Sequence, residues 1–116
     1  MRVYFDNAAT TPIDKEVLDA MLPILQNEYG NPSSIHGHGR SVRTIVEEAR
    51  KKVATVLNVT PSEIFFTSGG TEADNMALRC GVEHLGIKSI ITSPIEHHAV
   101  LHTAEDLAEG GHAALH

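Results

Sequence analysis

A chain of 116 residues with 41% hydrophobic and 21% charged residues has the composition of one modest globular domain, neither disordered nor membrane-like. A formal net charge of -6, without any run of lysine or arginine, argues against a nucleic-acid surface. One cysteine, Cys80, excludes an intramolecular disulfide framework and suits a reducing compartment. With no apolar leader and no stretch near the roughly 20 residues of a membrane helix, a soluble cytoplasmic protein is expected.

The chain opens on a short β-prone run, Val3-Tyr4-Phe5, and a compact loop of small residues, Asp6-Asn7-Ala8-Ala9-Thr10-Thr11-Pro12. Asp14 is placed as the N-cap of a first helix whose Val17, Leu18, Met21, Leu22 and Leu25 share one stripe, with Pro23 bending it or shifting its end. Residues 29–40, rich in glycine, proline, serine and histidine, read as a loop long enough to be functional or to pack on a partner. A second helix over about 41–57 turns Val42, Ile45, Val46, Ala49, Val53, Val56 and Leu57 inward and ends at Asn58.

Ile64-Phe65-Phe66 then reads as a buried strand, followed by the turn Ser68-Gly69-Gly70 and a third helix over about 72–85. Asp74 is placed for capping-box geometry at the start of that helix. Ala73, Met76, Ala77 and Cys80 are its expected inner face, with Cys80 a small buried hydrophobe. Residues 88–93 are the next strand. Two strands joined by the third helix predict a βαβ unit with parallel neighbours. A fourth helix over about 98–109 stops at Gly110-Gly111, and residues 112–116 approach another strand.

The chemistry concentrates at strand carboxyl ends, where open α/β sheets place their ligands. The first N–H groups of a helix lack intrahelical partners, and its dipole favours negative charge there. Gly69 and Gly70 admit close approach, and the Ser68 and Thr71 hydroxyls are candidate donors. The turn therefore reads either as a phosphate cradle or as a plain strand-to-helix turn with Thr71 as N-cap. His97 follows the neighbouring strand on the same side, where its ring could stack on a flat ligand. His98 and His102 share a helix face, but without a third ligand they read as solvated histidines, as do His112 and His116, and no metal site is expected.

Four segments carry a family likeness: Tyr4-Phe5-Asp6-Asn7-Ala8-Ala9-Thr10-Thr11-Pro12, Tyr29-Gly30-Asn31-Pro32-Ser33-Ser34, Phe66-Thr67-Ser68-Gly69-Gly70-Thr71-Glu72-Ala73-Asp74-Asn75 and Glu96-His97-His98-Ala99-Val100-Leu101. Singly they are weak; in this order and spacing they resemble successive motifs of the cysteine desulfurases. These are pyridoxal-phosphate enzymes of the class V aminotransferase group, and the likeness is to the iron–sulfur-cluster and nitrogen-fixation branch. The resemblance implies the N-terminal part of the fold type I aminotransferase architecture, an α/β fold of mainly parallel strands with crossover helices. It implies residues 1–13 as an active-site segment and 14–116 as the incomplete start of the cofactor-binding domain.

By the same resemblance, Gly70 and Thr71 match the pair holding the phosphate of pyridoxal 5'-phosphate. His97 matches the histidine that stacks on the pyridine ring and is proposed to take part in proton transfer. Asn7 and Ala8 match a segment near the substrate. The implied reaction converts L-cysteine to L-alanine, passing persulfide sulfur to an acceptor or scaffold protein, in a homodimer. The family's cofactor-binding lysine, its acidic partner for the pyridine nitrogen and its catalytic cysteine loop have no counterpart in these residues. Lys51, Lys52, Lys88 and Cys80 are not substitutes. The expectation is thus a fragment, inactive alone and prone to aggregate. The alternatives are a non-catalytic phosphate-binding or desulfurase-associating module, or a relative such as selenocysteine lyase.

Overall fold

A computed structural model describes residues 1–116, and their contacts divide the chain into two compact units, Met1–Ile64 and Phe65–His116.

In the first unit, residues 3–5 pair with no strand, contrary to the sequence expectation. A turn follows in which the Ala9 N–H donates to the Asp6 carbonyl at 3.1 Å, and the Tyr4 and Thr10 hydroxyls meet at 2.6 Å. Helix α1, Lys15–Asn27, starts where predicted: the Asp14 carboxylate accepts the Glu16 N–H at 2.9 Å. Pro23 lies inside it without ending it, and no residue of α1 is buried.

Helix α2, Gly37–Leu57, begins four residues before the expected start. The Nδ1 atom of His36 caps it by accepting the Gly39 N–H at 3.3 Å. Two glycines in the first turn disguise it, because glycine is a poor helix former. Gly39 is nonetheless required: a Cβ there would lie 2.5 Å from the Ser34 carbonyl oxygen and 2.6 Å from that of Asn31. Only Ala54 and Gly39 are buried in α2; Val42, Ile45 and Val46 are half-buried, while Ala49, Val53, Val56 and Leu57 are exposed. Asn58 ends the helix in the left-handed region, at φ 55°. The 3-10 turn Pro61–Glu63 follows, where the Glu63 carboxylate accepts the Thr60 N–H at 2.8 Å and its hydroxyl at 2.7 Å. These two bonds hold the Glu63 carboxyl below the usual carboxylate range.

Residues 64–66, which straddle the boundary in sequence between the two units, form no ladder, and Phe65 and Phe66, which open the second unit, are exposed. The parallel pair forms one step later in the chain. Strand β1, Ser89–Ile90, pairs with β2, Ala114–Leu115, in the register Ser89↔Ala114 and Ile90↔Leu115. Helix α4, His98–Glu109, crosses between them, so β1–α4–β2 is the βαβ unit. Its helix bounds and its glycine stop are those read from the sequence.

Helix α3, Gly70–Arg79, passes into a π-helical turn, Cys80–His84, instead of continuing as α-helix to residue 85. Gly81 and Val82 are buried, whereas Cys80 is exposed. Ala73, Met76 and Ala77 also face outward, and Leu78 packs on the core instead. That core is Val82, Ile90, Ala104, Leu107 and Ala113, with Leu107 its largest fully buried side chain.

Candidate functional site

The Ser68-Gly69-Gly70 turn feeds α3 through Gly69, whose backbone is fully extended. Two side chains tie the turn. The Thr67 hydroxyl donates to the Gly69 carbonyl at 3.1 Å. One oxygen of Glu72, Oε2, accepts both the Ser68 N–H at 2.6 Å and the Ser68 hydroxyl at 2.7 Å. This loop-closing acid is Glu72 and not Asp74, because the helix starts at Gly70 and the tied residue lies four positions ahead of the acid. First the Ser68 backbone N–H, then its hydroxyl, hold the Glu72 carboxyl below the usual carboxylate range. Glu72 therefore stays ionised on its donors well into mildly acid solution, and lets go as pH falls below 4.5 through the lowered value.

These ties leave a defined set of donors. The Ala73 N–H bonds to the Gly69 carbonyl, and later N–H groups bond within the helix. The N–H groups of Gly70, Thr71 and Glu72 have no partner, nor does the Thr71 hydroxyl. Ser68 is different from the sequence expectation, since its hydroxyl proton is engaged by Glu72. A Cβ built on Gly69 or Gly70 would meet nothing within 4 Å, so the space in front of the turn is open.

Helix α4 presents the second half of the site. His97 is its N-cap, with Nδ1 accepting the Ala99 N–H at 3.1 Å. A backbone N–H can only donate, so the neutral ring carries its proton on Nε2. Thr71, Asn75 and Arg79 descend one stripe of α3 at i, i+4 and i+8. His98, His102 and Asp106 descend α4 at the same spacing. Together with His97, Ala99 and Thr103 they line an open cleft of about 620 Å³. Arg79 meets Asp106 at 2.5 Å, fastening the helices at their C-terminal ends, so both N-termini open at the same end. The His98 and His102 rings stack, 5.1 Å apart and 10° from parallel, and His102 Nδ1 lies 3.1 Å from Glu105.

Of the residues singled out from sequence, Thr71 and His97 thus line one cleft, and Gly70 is the first residue of the helix that bounds it. Asn7 and Ala8 belong to the turn in the first unit. Asn75, Arg79 and Asp106 were not anticipated. Their signal was the i, i+4 spacing of polar residues on α3 and α4.

A model of the class-V aminotransferase family matches residues 3–116. The chain belongs to that family. Within it, the chain is 52% identical over 111 residues to a cysteine desulfurase IscS of Dictyoglomus turgidum, covering 94% of this chain and 28% of that protein. It is 53% identical over 104 residues to a cysteine desulfurase IscS of Methanosarcina thermophila, covering 87% and 26%. Among solved structures, a NifS-like protein superposes with a TM-score of 0.87 at 47% identity, over all of this chain and 32% of that one. DndA from Streptomyces lividans does so with a TM-score of 0.75 at 41% identity, over 97% and 32%. The chain spans less than a third of the length of each of these proteins. The α/β expectation and the aminotransferase architecture hold, with the parallel pair displaced as described.

Proposed function

We propose that this chain is the phosphate-holding segment of a pyridoxal-phosphate-dependent cysteine desulfurase. The activity is conversion of L-cysteine to L-alanine, with sulfur delivered to an acceptor or scaffold protein for iron–sulfur cluster or related cofactor assembly. The carrying observation is the set of unpartnered donors at Gly70, Thr71 and Glu72, opening at the same end as the His97 ring. The donor chemistry fits the cofactor: three N–H groups and a hydroxyl at a helix N-terminus suit a phosphate dianion.

Pyridoxal 5'-phosphate, when bound, supplies the electron sink for bond changes at the amino acid. Gly70 and Thr71 would hold its phosphate, and His97 would lie against its ring. The Ala99 N–H fixes the orientation of His97, whose Nε2 can then hold or release a proton on the cleft side. Asn7 and Ala8 are assigned to the substrate's vicinity, residues 1–13 to an active-site segment and 14–116 to the start of the cofactor-binding domain. We further assign a cytoplasmic location and a homodimeric whole enzyme, on the reading of composition and family likeness.

Two outcomes check this. His97→Asn keeps an oxygen that can accept the Ala99 N–H and removes the ring. It should leave the thermal midpoint of the second unit unchanged and weaken pyridoxal-phosphate binding by about fivefold, the worth of one ring contact. His97→Ala should in addition lose about 1 kcal/mol of stability with the cap. Cofactor fluorescence titration alongside thermal melts separates the two. No lysine lines the cleft. The purified 116-residue chain, given pyridoxal phosphate and L-cysteine, should accordingly dock the cofactor and release neither sulfide nor alanine. Release of either product would contradict the assignment of this chain as the phosphate-holding segment only.

A further inference from the structure

We propose that Glu72 is a positioning residue of the cradle: by holding Ser68 it fixes the glycine turn in the shape that keeps the Gly70, Thr71 and Glu72 N–H groups open to a phosphoryl oxygen. This rests on the reading of the α3 N-terminus as a phosphate site.

The turn holds two consecutive glycines, the residues that lose most conformational freedom on ordering. An untied Ser68-Gly69-Gly70 would sample many backbone shapes, few of which aim three N–H groups at one oxygen cluster. Two side chains oppose that freedom with three bonds, one from Thr67 to Gly69 and two between Glu72 and Ser68. The Glu72 clamp is the stronger, because one ionised oxygen receives two short bonds.

The position of the clamp matters as much as its strength. A carboxylate in the first turn of a helix could instead have turned onto the helix's own N–H groups and competed with a ligand. Here it reaches back to Ser68, outside the helix, and all three helical donors stay unpartnered. Its negative charge does oppose an incoming phosphate. It is exposed, however, so water and salt screen that repulsion, and the ordering of two glycines is the larger effect.

Glu72→Gln and Glu72→Ala separate these contributions. The glutamine side-chain oxygen accepts the same two Ser68 donors without the charge; alanine accepts neither. Inorganic phosphate and pyridoxal phosphate are titrated into each ¹⁵N-labelled full chain, with amide exchange of Ser68 read before ligand is added. Glu72→Gln should bind phosphate at least as tightly as the parent and keep Ser68 protected. Glu72→Ala should bind about tenfold more weakly and lose that protection, with helix content retained. Parent-like phosphate binding by Glu72→Ala, or equally weak binding by Glu72→Gln, would overturn the positioning role while leaving the phosphate site standing. No phosphate binding by the parent would overturn the phosphate site, and this role with it.

Discussion

Leu107→Ala is expected to unfold the second unit. Leu107 is fully buried at the centre of a cluster formed by Val82, Ile90, Ala104 and Ala113. Removing its branched end deletes burial and leaves a cavity that short strands and a π turn cannot close, a loss of about 2–5 kcal/mol. A core of five buried residues supports a net stability of only a few kcal/mol, so the whole margin is at risk. The consequence reaches the site, because α4 carries Leu107 on its inner face and His97, His98 and His102 toward the cleft. Leu107→Met keeps the volume and should cost less than about 1.5 kcal/mol. Thermal melts by circular dichroism compare the two. A parent-like midpoint for Leu107→Ala would show that this cluster does not hold the unit together.

Thr71→Val should weaken phosphate binding tenfold or more without changing stability. Valine preserves the branched shape and the backbone N–H, so α3 and its other donors remain. What disappears is a hydroxyl with no protein partner, at a helix N-terminus and beside the cleft. Its bond to a charged oxygen would contribute about 1.5–3 kcal/mol, the range for hydrogen bonds to charged groups. Calorimetric titration with pyridoxal phosphate reads the difference. Unchanged affinity would place the phosphate elsewhere.

How much of this was legible in sequence depended on how local the cause was. Helix α4 could be bounded because His97 and Gly110-Gly111 punctuate it within one stretch. Asp14 and Asn58 were equally local signals, one a side-chain cap and the other a residue tolerant of positive φ. The strand at residues 64–66 was not local: apolar residues extend there, but a ladder needs a neighbour, and β1 pairs with β2 instead. Cys80 was misassigned together with Ala73, Met76 and Ala77: periodicity marks that stripe of small side chains, but the segment packs through Leu78 and Val82 instead.

At the site, Gly70, Thr71 and His97 could be named from the glycine turn and from the family likeness. Glu72 could not, since the capping-box spacing pointed to Asp74 while the carboxylate actually reaches Ser68. Asn75, Arg79 and Asp106 required knowing that α3 and α4 pack side by side and are joined by an ion pair. Sequence spacing assigns a face to one helix; it does not say which faces of two helices meet.

The central claim is that the α3 N-terminus takes a phosphate while His97 meets the attached ring. The most direct measurement is a ¹⁵N and ¹³C NMR titration of the intact chain with pyridoxal phosphate, with inorganic phosphate in parallel. Both ligands should shift the Gly70, Thr71 and Glu72 amides together, and only pyridoxal phosphate should also shift the His97 ring. Saturating ligand that leaves those three amides in place would contradict the account.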